Sequence, residues 1–328
     1  MEGRKALVTG AGGFIGSHLV ERLVRDGARV RALCRYNSRN EHGALDWLDE
    51  DVRSEVDVQL GELRDTESVS RAVDGVEVVF HLGAQIAIPY SYVNARDYFE
   101  TNVLGSLNVA QAALRHGVER VVHTSTSEVY GTAQTVPITE EHPLEAQSPY
   151  AASKIGADKL MDSFHRSHGL PVVVLRPFNT YGPRQSARAV IPTIITQALA
   201  GPSLRLGSTD PRRDLTFAED TAAGFVAAAT AGDAAVGRTV QLGTGESVSV
   251  GEIVELVGEL LGTPLVVETD AARVRPEASE VRVLVSDPSR ARELLGWEPS
   301  VPLRDGLERT LRWIEANQAR FRTGEYVI

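Results

Sequence analysis

Apolar residues in the first half of the chain fall into short continuous runs separated by stretches with helical spacing. Strands are predicted at Ala6–Thr9, Val30–Cys34, Val56–Leu60, Val78–Leu82, Arg120–Thr124 and Val172–Leu175. Between them, apolar positions recur with helical period over Gly16–Asp26, Thr66–Asp74, Asn102–His116 and Pro149–His168. Runs without polar alternation suit strands buried on both faces. The alternation of strand and helix therefore predicts an α/β protein, a parallel doubly wound sheet with helices on both sides. After about Arg176 the rhythm gives way to longer loops rich in Pro, Gly and Arg, then shorter helices such as Val250–Leu261 and Leu303–Asn317. This predicts a first domain over 1–176 and a smaller α+β substrate domain over 177–328. The segment 214–243, with its Ala-rich helix Ala218–Ala231, is expected to pack back on the first domain.

Composition narrows the picture by exclusion. The 328 residues are 42% apolar and 24% charged, as in ordinary globular proteins. No run approaches the ~20 apolar residues of a membrane span, and the chain enters its first strand almost at once, without the look of a signal peptide. The single cysteine, Cys34, cannot form an internal disulfide, so a cytoplasmic setting is expected. Net charge is −10 and no Lys/Arg block is dense enough for a nucleic-acid footprint. An anionic ligand would need locally clustered arginines. The histidines show no metal-ligand spacing, and His81 and His123 are read as packing or hydrogen-bonding residues.

Two motifs carry chemistry. The first, Thr9-Gly10-Ala11-Gly12-Gly13-Phe14-Ile15-Gly16, ends the first strand and opens the first helix. Gly10 permits the tight turn, Gly13 lets backbone approach a pyrophosphate, and Gly16 allows close helix–strand packing. The helix N-terminus then offers N–H groups and a positive dipole end to phosphates. The sheet is thus of Rossmann type. Past these glycines an acid is expected at the end of the second strand for the ribose of NAD, but residues 29–40 contain none. They hold Arg35, Ser38 and Arg39, and Arg35 beside the ribose would suit a 2′-phosphate. That puts NADP ahead of NAD.

The second motif is Tyr150-Ala-Ala-Ser-Lys154. Residues four apart on a helix share a face, and an ammonium beside a phenol is expected to lower the tyrosine pKa toward neutrality. Tyr150 is then a general base for a sugar or alcohol hydroxyl.

Further segments carry a resemblance: His81-Leu82-Gly83-Ala84, Thr101-Asn102-Val103, Ser125-Thr126-Ser127-Glu128-Val129-Tyr130-Gly131, Arg176-Pro177-Phe178-Asn179, Arg213-Asp214-Leu215-Thr216-Phe217 and Leu294-Leu295-Gly296-Trp297. Nearly end to end, the chain resembles the extended short-chain dehydrogenase/reductases that act on nucleotide sugars. It is most similar to soluble 4,6-dehydratases of GDP- or UDP-sugars. Two departures from the family pattern are Gly83 for Ala and Glu62 for Asp.

The resemblance implies a tightly bound, recycled dinucleotide. It would lie against Gly10, Gly13, Phe14, Ile15 and Gly16, then Arg35, Ser38, Glu62 and Leu63. Beyond these it would meet Leu82, Gly83, Ala84, Asn102, Thr124 and Pro177, with Tyr150 and Lys154 at the nicotinamide end. It also implies a nucleotide diphosphate sugar held by Thr126, Asn179, Arg213 and Arg275. Arg184 is added because guanidinium groups suit phosphate oxygens.

In the implied reaction Tyr150 takes the C4 hydroxyl proton as hydride leaves C4, with Thr126 on the same hydroxyl. Glu128 is then the base at C5. It serves as acid at O6 as well, directly or through Ser127, where some dehydratases carry Asp. Water loss and hydride return to C6 give a 4-keto-6-deoxy sugar. A hexose or uronate 4-epimerase, then a UDP-uronate decarboxylase, are the alternative enzymes, and a non-catalytic dinucleotide-binding scaffold is the alternative of another class. A homodimer through helix 102–116 and the tyrosine helix is implied too.

Overall fold

The computed structural model describes residues 1–270, 273 and 281–321. Its centre is a seven-stranded sheet built from β1 (Lys5–Thr9), β2 (Arg29–Arg35), β3 (Val56–Gly61), β4 (Val78–His81), β5 (Arg120–Thr124), β6 (Val172–Pro177) and β7 (Thr239–Leu242). The spatial order is β7-β6-β5-β4-β1-β2-β3, and every pairing is parallel. The chain winds outward from β1 to β3, then crosses back to β4 on the other side of β1. Ligands of such sheets bind where that reversal opens a crevice at the carboxyl ends of the strands. Here those ends are Thr9 and His81, which are paired in register.

Helices α1 (Phe14–Arg25) and, far along the chain, Ala218–Thr230 cover one face. Leu19, Val20 and Leu23 pack there with Phe225 and Ala228 over Val8, Phe80 and Val122. Small residues let the second helix come close: a Cβ on Gly224 would lie 2.5 Å from a methyl of Leu242 on β7. On the other face lie α2 (Thr66–Val73), α3 (Gly105–Arg115) and α4 (Pro149–His168), with Val69, Val109 and Met161 against Val79, Val121 and Val172.

The predicted helix over 102–116 begins differently. Phe99–Leu104 forms a π-helical turn before α3, with Thr101 and Asn102 buried in it. Its wider backbone ring arises where Asn102 reaches back to the loop after β4.

The remaining strands form small sheets beside a separate apolar cluster that includes Ile194, Leu204, Ile253, Leu307 and Ile314. Asn179–Tyr181 pairs in parallel with Leu215–Phe217, and Arg212–Arg213 lies between Val248–Ser249 and Val283–Leu284. These pairings fix Asn179, just past β6, and Arg213 relative to one another. Among the described residues no helix is long and apolar enough to cross a membrane. Cys34 is buried, and burial pushes its thiol up to about 11.

Candidate active site

The glycine turn has the geometry its sequence suggests. Gly10 adopts φ +68°, which favours glycine. A Cβ on Gly16 would lie 2.2 Å from the Gly10 carbonyl oxygen. A Cβ on Gly13 would meet only that oxygen, at 3.1 Å, so its outer side is open to a ligand. Gly13 caps α1 with no side-chain cap and no acid in the first turn, leaving the helix end electropositive. Phe14, Ile15 and Gly16 form that first turn.

The loop after β4 closes over β1. Leu82 N donates to Thr9 O at 3.3 Å and Gly83 N to Thr9 Oγ1 at 3.0 Å. A Cβ on Gly83, where the resemblance implies alanine, would lie 2.6 Å from a methyl of Leu63. His81 is buried between Thr9 Oγ1 (2.8 Å) and Ser106 Oγ (2.9 Å), a hydrogen-bonding role as expected.

At the outer end, Arg35 closes β2 with an exposed side chain, its Nε 3.8 Å from a Glu62 carboxylate oxygen. Glu62 reaches Arg35 because it directly follows Gly61, which pairs in register with Arg35. Ser38 lies in the exposed loop beyond, shaped by Asn37 Oδ1 accepting from the amides of Arg39 and Glu41.

At the inner end, Ser148 caps α4, its hydroxyl accepting from Ala151 N at 3.1 Å, and Pro149 opens the helix. Tyr150 therefore lies in the first turn and Lys154 one turn on, both buried. Thr126 caps the single 3₁₀ turn Ser127–Tyr130 at the end of β5, accepting from Glu128 N at 3.2 Å. The Thr126 hydroxyl lowers the pKa of the Tyr150 phenol and the Glu128 charge raises it. Ser127 is buried beside them. The Glu128 carboxylate makes no hydrogen bond or ion pair with another side chain among the described residues. The Tyr98 ring meets Tyr150 edge-on at 6.3 Å.

The electrostatics correct one expectation. Tyr150 is not drawn toward neutrality in this structure. Burial raises its pKa, Thr126 opposes that, and the charges of Glu128 and Asp158 add to it. Lys154 is itself pushed down to about 8 by burial, against the pull of Asp158.

Two further placements differ from the sequence reading. Asn102 is 1% exposed and its amide is fully engaged. Oδ1 accepts from Gln85 N at 2.8 Å, while Nδ2 donates to Gln85 O at 3.0 Å and Ser153 Oγ at 2.9 Å. It fixes the β4 loop to α4 instead of presenting a side chain to a dinucleotide. Arg184 donates to a Glu21 carboxylate oxygen and to His18 Nδ1, both at 2.7 Å. Its charge is neutralised on α1, so it does not stand ready for a diphosphate. His18 is then the Nε2–H tautomer, donating to Pro183 O at 2.8 Å, and burial keeps it neutral with a pKa of about 3.

The fit to a dinucleotide rests on orphaned polar atoms as well as the open face of Gly13. Thr124 Oγ1 at the end of β5 and Asn179 Oδ1 beyond β6 are buried without a partner. Pro177 ends β6 between them, and Ala84 follows Gly83 on the crevice side of β4. Arg213 Nη1 donates to the carbonyl of Arg212 at 3.0 Å. Arg275 lies outside the described residues.

Sequence reading missed Asp158, whose buried carboxylate accepts from Ser125 and Arg176 and faces His123. The available signal was its spacing, eight residues past Tyr150 on the Lys154 face.

The family described as GDP-mannose 4,6 dehydratase matches residues 7–310. A UDP-glucose 4-epimerase of Mycolicibacterium smegmatis is 34% identical, over 94% of this chain and 98% of the relative. A dTDP-glucose 4,6-dehydratase of Actinoplanes sp. is 32% identical, over 96% and 99%. A solved double mutant of DesIV, the dTDP-glucose 4,6-dehydratase of Streptomyces venezuelae, with NAD bound, superposes with a TM-score of 0.84. It is 32% identical, and the match covers 96% of this chain and 98% of that one.

Proposed function

We propose, because this chain belongs to the GDP-mannose 4,6 dehydratase family, that it is a nucleotide-sugar 4,6-dehydratase. The family is one of NAD-dependent nucleotide-sugar dehydratases and epimerases, and the chain is an enzyme of that kind. The observation that carries the narrower reading is Glu128. It stands at the end of β5, its charge raises the Tyr150 pKa, and its carboxylate is engaged by no other side chain among the described residues. A 4-epimerase needs one acid–base group at C4 and has no use for a second base.

A bound nicotinamide dinucleotide supplies the hydride acceptor for oxidation at C4 and the donor for the return to C6. The chain supplies the proton transfers. Tyr150 takes the proton of the C4 hydroxyl, with Thr126 orienting that oxygen and the ammonium of Lys154 stabilising the phenolate. The first turn of α4 adds the positive end of its dipole at the same place. The ketone at C4 acidifies C5–H, which Glu128 removes. The same residue, directly or through Ser127, protonates O6 as water leaves. Asn179 and Arg213, fixed by their neighbouring strands, hold the sugar nucleotide, and Arg275 joins them. Arg35, exposed and only loosely paired to Glu62, takes the 2′-phosphate of NADP. Exposed Phe99 and Leu104 beside α3 form part of a homodimer face with α4.

The 34% identity to a UDP-glucose 4-epimerase supports the epimerase reading. Incubation with UDP-, GDP-, CDP- and dTDP-hexoses and uronates, followed by mass spectrometry, separates the readings. Loss of water supports the dehydratase, an unchanged mass the epimerase, and loss of carbon dioxide a decarboxylase. No conversion with any donor, despite bound dinucleotide, would leave a non-catalytic scaffold.

A further inference from the structure

Behind the Tyr150–Lys154 face of α4 lies a buried ionic cluster that the reaction steps do not use. Asp158, 4% exposed, stands one turn beyond Lys154. Its carboxylate accepts from Ser125 Oγ at 2.6 Å and Arg176 Nη2 at 3.0 Å, and faces His123 Nε2 at 3.2 Å. Arg176 Nη1 in turn donates to the Tyr130 hydroxyl at 2.9 Å, which also accepts from Gln241 Nε2 at 2.7 Å. One carboxylate thereby connects α4 to β5 and β6, and through Tyr130 to β7.

Tying elements together does not require charge. Buried ion pairs are costly to desolvate, and apolar replacements are often at least as stable. What an apolar cluster cannot supply is a field at the neighbouring amine. The groups around Asp158 can be assigned in turn. His123 on β5 is held neutral by burial, as is His81 on β4, its ring 5.5 Å away. Arg176 on β6 is a permanent cation. On α4 itself stand Lys154 and Tyr150, and the Glu128 carboxylate and the Tyr98 phenol also bear on Tyr150. Ser125, Tyr130 and Gln241 are neutral donors or acceptors.

We propose that Asp158 is a positioning residue that keeps Lys154 protonated at working pH, with Arg176 setting the limit of that effect. An anion one turn away favours the ammonium, and a cation bound to that anion weakens its pull. The direction fits the balance at Lys154, where burial lowers the pKa and Asp158 raises it. The same carboxylate also adds to the rise at Tyr150, behind burial and the Glu128 charge. The inference rests on the Tyr150–Lys154 assignment and not on which reaction follows.

The chain makes a direct test practical, because it contains three lysines: Lys5, Lys154 and Lys159. With ¹³C-labelled lysine, NMR resolves three titrations in the full-length protein, with and without saturating NAD. Lys154→Gln assigns the signal of interest. Lys154 is expected to titrate well below the other two. Asp158→Asn should lower it by about one pH unit or more, whereas Arg176→Gln should raise it. Ser125→Ala, which removes a hydrogen bond and no charge, should leave it in place.

Unchanged titration in folded Asp158→Asn, or shifts of the same sign in both charge variants, would overturn the proposal. If Asp158→Asn does not fold, Arg176→Gln decides alone, and the absence of an upward shift counts against it. Failure of the dehydratase reading would leave these titrations untouched, because they report a proton on one amine and not a product.

Discussion

Gly16 sits so close to Gly10 that a Cβ on it would lie 2.2 Å from the Gly10 carbonyl oxygen. Backbone must move to admit even alanine. Overpacking of this kind typically costs about 1–3 kcal/mol, and the displaced atoms are the turn that faces the dinucleotide. Gly16→Ala should therefore lower both the melting temperature and NAD affinity. Gly13 has φ −79° and a Cβ there would meet only the Gly10 oxygen, at 3.1 Å, so Gly13→Ala should lose affinity with a smaller fall in melting temperature than Gly16→Ala. Calorimetric binding and thermal melts of the two variants check the contrast. Equal behaviour would mean that the turn is structural at both positions.

Tyr150→Phe removes one hydroxyl and leaves the ring against Tyr98. The fold and nucleotide binding should persist, and turnover should fall by about 10²–10⁴-fold, the usual worth of a general acid–base group. More than about a tenth of wild-type kcat in the variant would remove Tyr150 from the chemistry.

Lys154 costs the fold stability, and the sign follows from its pKa. Its folded value of about 8 lies below the unfolded lysine value, so burial of the ammonium is penalised in full below pH 8. Between pH 8 and the unfolded value the unfolded state binds more protons, and stability from this group rises with pH. In protein stripped of dinucleotide, Lys154→Met should unfold at higher urea than wild type at pH 7, by on the order of 3 kcal/mol. The difference should shrink toward pH 10. A variant less stable than wild type at pH 7 would show that the amine is compensated beyond the pull of Asp158.

Arg35 is proposed to select the dinucleotide. An exposed ion pair at 3.8 Å, such as that with Glu62, is worth little, so the guanidinium can turn to a 2′-phosphate at small cost. Purified protein should release NADP on denaturation, and Arg35→Ala should weaken NADP and leave NAD unchanged. Release of NAD alone, with both affinities unaltered in the variant, would assign Arg35 to solvent.

Much of the fold is legible in the chain because its signals are local. Pro149–His168 and Val250–Leu261 have the predicted bounds, and Ser148 and Ser249 mark their starts as capping residues. Six of the seven central strands lie within one or two residues of their predicted runs, while the seventh, Thr239–Leu242, matches no predicted run. What the chain conceals is non-local. The π-helical turn at Phe99–Leu104 contains Asn102, whose side chain meets Gln85 and Ser153, contacts that no periodicity encodes. Arg184 looks like a phosphate ligand until β6 and the loop beyond it bring it to Glu21, 163 residues earlier. The Tyr150 pKa fails for the same reason. Helical spacing reveals the lysine, but not the burial that raises the phenol pKa.

Glu128 separates the reactions. If it is the base at C5, Glu128→Gln should still carry out C4 oxidation, because Tyr150, Thr126 and Lys154 are untouched. The reaction should then stop before water loss, and reduced nicotinamide should persist as absorbance at about 340 nm instead of being consumed by hydride return to C6. In heavy water the wild-type product should carry one deuterium at C5, because the Glu128 carboxyl exchanges its proton with solvent before that carbon is reprotonated. An epimerase never breaks the C5–H bond and introduces no label there. A decarboxylase labels C5 with loss of carbon dioxide in place of water. Normal turnover by Glu128→Gln, together with unlabelled wild-type product, would sink the dehydratase reading and establish the epimerase in its place.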